Sequence, residues 1–289
     1  MLTLLLSIFA SLMSRLKLEQ ARRLFRSLAR LFIIGKGVLV ENTAKNIDLC
    51  FPAYSAQKRK TLVQKSIAET ACLAAELGVF FRWPEERWLS LVAGQKPGLL
   101  EEAVSSDRGV LILAPHFGNW EFLGLYLGRL GTMALYNPSS PGWLSKPLLE
   151  ARARSGMRMA PLSFGGLKEA RLHLGSGGCL ALLPDQVPRR DSGVYAPFFG
   201  VEALTMTFAH RLIQSTNPRV LVGAAKRVQN GFELSFTEPD RDIYNPSPLK
   251  SATAMNAAIE ALVLTDPAQY QWEYKRFRRQ QIGHKNYYA

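Results

Sequence analysis

The run Val110-Leu111-Ile112-Leu113-Ala114, closed by Pro115, constrains the fold more than any other stretch. A strand with one wet face would alternate polar and apolar residues. Five apolar residues in a row instead predict a strand buried on both faces, inside a sheet covered by helices on each side. A tight polar corner follows, His116-Phe117-Gly118-Asn119. Asn119 can cap a new helix from Trp120 that Gly131 stops, which puts Glu121 in the first helical turn.

Downstream the pattern alternates. Strands are predicted over 132–136, 158–162 and 178–183, with helices over 146–156 and 167–174 between them. A helix over 206–214 follows, then strands over 220–228 and 232–236 joined by the hairpin signal Asn230-Gly231, then a helix over 252–264. Upstream, Ser55 opens a helix through residue 81, and residues 42–52 read as a short connection ending at Pro52. The expected class is α/β, with a largely parallel central sheet flanked by helices and an N-terminal membrane-associated helix. With 289 residues, 47% of them hydrophobic, and no Pro/Gly/Ser-rich break, residues 31–289 are expected to form one domain behind a membrane-associated segment at 1–30.

That segment is apolar through Met13, shorter than the roughly 20 residues of a comfortable bilayer span. It then turns basic, with Arg15, Lys17, Arg22, Arg23, Arg26 and Arg30 opposed only by Glu19. A secretory signal carries its charge before the apolar stretch; here the order is reversed. The expectation is a helix that dips into or marginally spans the inner membrane, with everything after Arg15 on the cytoplasmic face. The alternative is an amphipathic helix packed on the domain. A formal charge of +13 and a pI near 9.9 point to anionic partners. The three cysteines, Cys50, Cys72 and Cys179, are widely spaced in apolar surroundings and are expected to be free thiols.

The corner after the buried strand is the candidate site. An imidazole whose tautomer is fixed by a carboxylate can take a proton from a hydroxyl through its other nitrogen. His116 is the candidate base and Glu121 its orienter, favoured as an anion by the helix dipole. Gly118 permits positive φ or close approach of a ligand, and amides at the helix start are candidates to face an oxyanion. Carboxylates are 23 of 289 residues, so His-x4-Glu alone leaves a bland alternative open: His116 closing a strand and Glu121 complementing the dipole. Pro184-Asp185-Gln186 follows a buried-type strand as His116 does, and carboxyl ends of parallel strands converge on one crevice. Asp185 is thus either a site group that binds acceptor or supports the base, or a turn aspartate. Arg152, Arg154, Arg158, Arg189 and Arg190 surround that edge, with guanidinium forks suited to phosphate. Trp83, Trp88 and Trp143 are candidates for an acyl pocket, the interface or plain core.

The words around these residues add to the spacing. His116-Phe-Gly-Asn-Trp-Glu121 resembles the His-x4-(Asp/Glu) motif of the bacterial lipid A late acyltransferases, a branch of the lysophospholipid acyltransferase-like superfamily. Asn46-Ile-Asp-Leu-Cys-Phe-Pro52, Pro184-Asp-Gln186, Ala196-Pro-Phe-Phe-Gly200 and Gln269-Tyr-Gln-Trp272 with Lys275-Arg-Phe277 fall in that family's order. The chain departs from it at Tyr274, where histidine is common, and at Ala53, where an acidic residue is usual. The resemblance implies O-acyl transfer from an acyl carrier protein thioester to a hydroxyl of a lipid A precursor in lipopolysaccharide biosynthesis, at the cytoplasmic face of the inner membrane. A related acyltransferase acting on another phospholipid or envelope glycolipid is the alternative. On this reading His116 and Glu121 are catalytic, and Gly118, Asn119, Arg154, Arg158, Asp185 and Arg189 contact substrate.

Other classes fit poorly. The chain has no Gly-x-Ser-x-Gly, no Walker loop and no Gly-x-Gly-x-x-Gly. His173, His210 and His284 show no zinc spacing with His116, so neither metal nor cofactor is expected. A nucleic-acid-binding module would leave the apolar N-terminus and the His116–Glu121 words unexplained, and no nucleic acid is expected as partner. The basic cluster Lys275, Arg276, Arg278 and Arg279 is either a contact for an acidic carrier protein or lipid phosphate, or a charged tail.

Overall fold

A computed structural model describes residues 2–34, 37–94, 98–138, 142–281, 283 and 286–288. Four helices lead: α1 (Leu2–Arg15), α2 (Leu18–Ile34), α3 (Val38–Cys50) and the long α4 (Ala56–Arg82). Ser55 caps α4 by accepting from the Lys58 amide. Then come α5 (Glu85–Leu89), β1 (Val92–Ala93), α6 (Gly98–Val104), β2 (Val110–Leu113), α7 (Trp120–Gly128), β3 (Met133–Tyr136), α8 (Gly142–Arg154), β4 (Arg158–Pro161), α9 (Phe164–Gly175) and β5 (Cys179–Leu182). The last third holds β6 (Gly193–Phe198), β7 (Val201–Met206), α10 (Phe208–Thr216), β8 (Arg219–Val228), β9 (Gly231–Thr237) and α11 (Pro248–Leu264).

Seven strands form one sheet in the order β1-β9-β8-β2-β5-β3-β4. All its pairings are parallel except the β8–β9 hairpin. Strand β2 sits in the middle, and its side chains divide between two cores. Leu111 and Leu113 join one, with Leu180, Leu182, Val220 and Val222. Val110 and Ile112 join the other, with Cys179, Ala181 and Leu221. Burial on both faces explains the unbroken apolar run. Cys50, Cys72 and Cys179 are buried free thiols.

Three features depart from expectation. Most of the connection expected at 42–52 is helical, the end of α3 (Val38–Cys50), and buried Asn46 on it donates to the Trp272 and Tyr274 carbonyls and stitches the segment to the C-terminal region. Residues 193–206 form the antiparallel β6–β7 hairpin, so the helix expected from 206 begins at Phe208. The N-terminal stretch is two helices, and no helix among the described residues is long and apolar enough to cross a membrane. Both pack on α4: a Cβ at Gly78 of α4 would lie 2.4 Å from the Ser14 amide nitrogen of α1, and Trp83 donates its indole N–H to the Ser14 carbonyl at 3.0 Å. The segment is thus a pair of helices packed on α4. Its outer faces nevertheless stay apolar, with Leu4, Leu5, Leu12, Leu24 and Leu31 exposed.

Candidate active site

Two strand ends build the site. In the β2–β5 ladder Leu113 lies opposite Leu182, and beyond it the Ala114 amide donates to the Leu182 carbonyl. Continued past the ladder, the same offset brings His116 opposite Asp185. Oδ1 of Asp185 accepts from His116 Nδ1 at 2.8 Å, and Oδ2 accepts from the His116 backbone amide at 2.9 Å. Asp185 is 2% exposed. Burial alone would raise its pKa, but the facing imidazole and the hydrogen bonds from His116 outweigh burial and hold it below the usual carboxylate range. The buried phenol of Tyr270 is pushed well up by burial and then by the Asp185 charge.

An ionised Asp185 makes Nδ1 the protonated nitrogen and leaves the lone pair on Nε2. Gln186 donates its side-chain amide to that nitrogen at 3.1 Å, and Trp120 packs edge-on to the ring, centroids 4.9 Å apart. The backbone is pinned from the opposite side. His116 O accepts from the Gln271 amide, and the Gly118 amide donates to Gln269 O. Tyr274 accepts the Val187 amide on its phenol oxygen at 2.8 Å, so the residue that departs from the family pattern steadies the Asp185 loop.

Asp185, not Glu121, orients the histidine. Glu121 lies in the first turn of α7, which packs beside α8, and its carboxylate accepts from Arg152 Nε at 3.0 Å and Nη2 at 2.6 Å. Burial would lower the Arg152 pKa, but Glu121 outweighs it and the guanidinium is held above its ordinary value. His116, Glu121, Arg152 and Gln186 share one cavity of about 900 Å³ with Leu123, Leu127, Leu148, Leu149, Met157 and Leu167. It is polar at the strand ends and hydrocarbon-lined beyond.

The other expected site residues divide. Arg189 stands at the cavity wall, 84% exposed at its side chain. Arg211, which no motif singled out, joins it there. Gly118 has φ +59°, and a Cβ on it would lie 2.1 Å from the Ala225 carbonyl oxygen; its close neighbour is strand β8, not a ligand. Asn119 is buried, accepting from the Phe122 amide and donating to Glu76. The amides of Gly118, Asn119 and Phe122 are all spent inside the protein, which removes them as oxyanion donors. Of the four amides that α-helical geometry leaves without an intrahelical acceptor, those of residues 119–122, Asn119 and Phe122 thus have partners elsewhere in the protein. Arg154 closes α4 by donating to the Phe80 and Phe81 carbonyls, and Arg158 pairs on the surface with His173 and Glu169; neither lines the cavity.

Trp83 and Trp88 belong to the core, while the Trp143 side chain and His284 lie outside the described residues. Arg276 is no tail residue. It is buried, donating to the Leu204 carbonyl and the Thr205 hydroxyl. Among the described residues no group of three or more His, Cys, Asp or Glu is placed to hold a metal ion.

A carboxylate-backed imidazole at the mouth of a hydrocarbon-lined cavity, on the carboxyl edge of a parallel sheet, is the equipment of a transferase that activates a hydroxyl beside an aliphatic chain. Residues 1–279 match the family model described as bacterial lipid A biosynthesis acyltransferase. The chain belongs to that family. It is 26% identical over 248 residues to a lipid A biosynthesis palmitoleoyltransferase of Escherichia coli (strain K12), covering 84% of this chain and 80% of the relative. A lauroyltransferase from the same organism is 24% identical, covering 83% and 79%. A myristoyltransferase, also from that organism, is 23% identical, covering 82% and 75%.

Proposed function

We propose that the protein moves a fatty acyl chain from an acyl carrier protein thioester to a hydroxyl of a lipid A precursor, at the cytoplasmic face of the inner membrane. The observation that carries the reading is the His116–Asp185 pair opening into a cavity that can hold an aliphatic chain. The acceptor hydroxyl displaces the Gln186 amide from Nε2 and gives its proton to that nitrogen as its oxygen attacks the thioester carbonyl carbon. The tetrahedral adduct collapses, the carbon–sulfur bond breaks, and the departing thiolate takes the proton back from the imidazolium. Asp185 keeps the ring oriented and balances its charge while it is cationic. Glu121 and Arg152 form the polar end of the cavity, where acceptor and carbonyl meet, and Arg189 and Arg211 supply positive charge for an anionic glycolipid.

The outer faces of α1 and α2 supply the membrane contact. Exposed leucines lie beside exposed Arg15, Lys17, Arg23 and Arg30, the composition of a helix resting in an anionic interface. The test is direct. Purified protein is incubated with acyl carrier protein thioesters and with lipid A precursor, phospholipid or another glycolipid, and products are read by mass. Acylation of the lipid A precursor, lost in His116→Ala, supports the reading. Acylation of a different lipid alone replaces the acceptor, and undiminished activity in folded His116→Ala removes the mechanism.

A further inference from the structure

We propose that Glu76, deep under the site on α4, is a positioning residue that fixes the catalytic corner through Asn119; this rests on the reading of His116 as base. Glu76 is 1% exposed. Its Oε2 accepts from Asn119 Nδ2 at 2.7 Å, and its Oε1 accepts from Arg22 Nε at 2.8 Å and Arg227 Nε at 2.9 Å. Burial would push this carboxyl up, but Arg227 and Arg22 together outweigh burial and hold it ionised.

The ties continue outward to three parts of the fold. Arg22, itself fully buried on α2, also donates to the Val228 and Gly231 carbonyls that flank the β8–β9 turn. Arg227 exchanges two hydrogen bonds with the Gln269 side chain, at 2.7 and 3.0 Å, and Gln269 O receives the Gly118 amide. Gly118 and Asn119, the last two residues of the His116 corner, are thus held by one closed network.

Packing alone gives no reason for it. Apolar side chains of similar volume stabilise a core as well as a buried ion set does, so what the charges add is a fixed geometry. The identity of residue 119 follows from the same network. Serine, threonine or aspartate would cap α7 as well as asparagine. Of these, only asparagine carries its acceptor and its donor on separate atoms, so that its oxygen takes the Phe122 amide while its nitrogen reaches the Glu76 carboxylate. Aspartate there would face Glu76 with like charge.

Asn119→Ser keeps the cap and takes away the carboxamide nitrogen that reaches Glu76, leaving one shorter hydroxyl that is engaged by the cap, while Asn119→Asp keeps the shape and replaces the donor with a carboxylate. The expected result for Asn119→Ser is kcat lowered at least tenfold, KM for the thioester within about threefold, and faster amide hydrogen exchange over 117–121. For Asn119→Asp, activity relative to the parent rises as pH falls from 8 to 6, because a proton shared between the two carboxylates restores the donor. A change confined to global stability, with kcat per folded molecule within twofold of the parent, or corner exchange unchanged in Asn119→Ser, overturns the proposal. Should Asn119→Asp fail to fold, Asn119→Ser carries the test alone. The exchange measurement decides the clamp even if His116→Ala retains activity, and that outcome would remove the base instead.

Discussion

Replacing Asp185 by asparagine separates the arrangement seen here from the one its sequence suggests. Asp185 serves two donors at once, the His116 backbone N–H on Oδ2 and the ring Nδ1–H on Oδ1. Asparagine has a single acceptor oxygen. The backbone amide can only donate, so it takes that oxygen, and the carboxamide NH₂ is left facing Nδ1. The ring answers by moving its proton to Nε2, which abolishes the lone pair aimed at the acceptor hydroxyl. General-base assistance contributes about 10² to 10⁴ in rate, and where a histidine base relies on a buried aspartate this exchange lowers turnover by about 10⁴. At about 1.4 kcal/mol per tenfold, the expected loss is roughly 3–5 kcal/mol of transition-state stabilisation. It should fall on kcat, since a side chain 2% exposed makes little contact with substrate; KM is expected within about threefold. Steady-state thiol release from the acyl thioester, on protein shown to be folded, measures both. A folded Asp185→Asn enzyme with kcat within about threefold of the parent would refute the dyad. Glu121→Gln is the companion: it leaves the ring's tautomer alone but strands Arg152 in the cavity wall, so its loss is expected to include a change in KM.

Three further outcomes follow from the same geometry. Gly118→Ala places a methyl 2.1 Å from the Ala225 carbonyl at φ +59°; a stability loss of about 2 kcal/mol or more is expected in chemical denaturation, and one under about 0.5 would refute the packing. Because the Asp185 pKa is lowered in the fold, its contribution to stability is complete above the unfolded value of about 4 and is lost as pH falls through the lower folded value. The melting temperature of the parent should therefore fall more steeply below about pH 4 than that of Asp185→Asn, and parallel curves would contradict this. Replacing Arg15, Arg23 and Arg30 with glutamine should weaken binding to anionic vesicles about 100-fold at about 1 kcal/mol per charge, read by co-sedimentation. Unchanged binding would remove α1 and α2 as the membrane face.

What was legible in the chain was whatever depends on near neighbours. The burial of β2, the Asn119 cap, the Ser55 cap and the Asn230-Gly231 hairpin all rest on local chemistry, and all appear. The β6–β7 hairpin escaped because its turn, Phe199-Gly200, carries positive φ on a phenylalanine, a residue that announces no turn. The buried roles of Arg22 and Arg276 escaped for a related reason. Apart from Glu19, three residues before Arg22, the carbonyls and carboxylate that satisfy them lie far along the chain, so in sequence they resemble any solvated arginine.

The partner of His116 escaped in the most instructive way. His-x4-Glu offers a carboxylate five residues away, and the eye accepts it, yet that helix turn carries Glu121 toward α8 and Arg152. The carboxylate that reaches the ring is 69 residues distant, and its distance is set by which strand lies beside β2. Had β5 been elsewhere in the sheet, the same words would have stood beside an unsupported histidine. The motif therefore marks one cavity wall, and strand order chooses the carboxylate that faces its histidine.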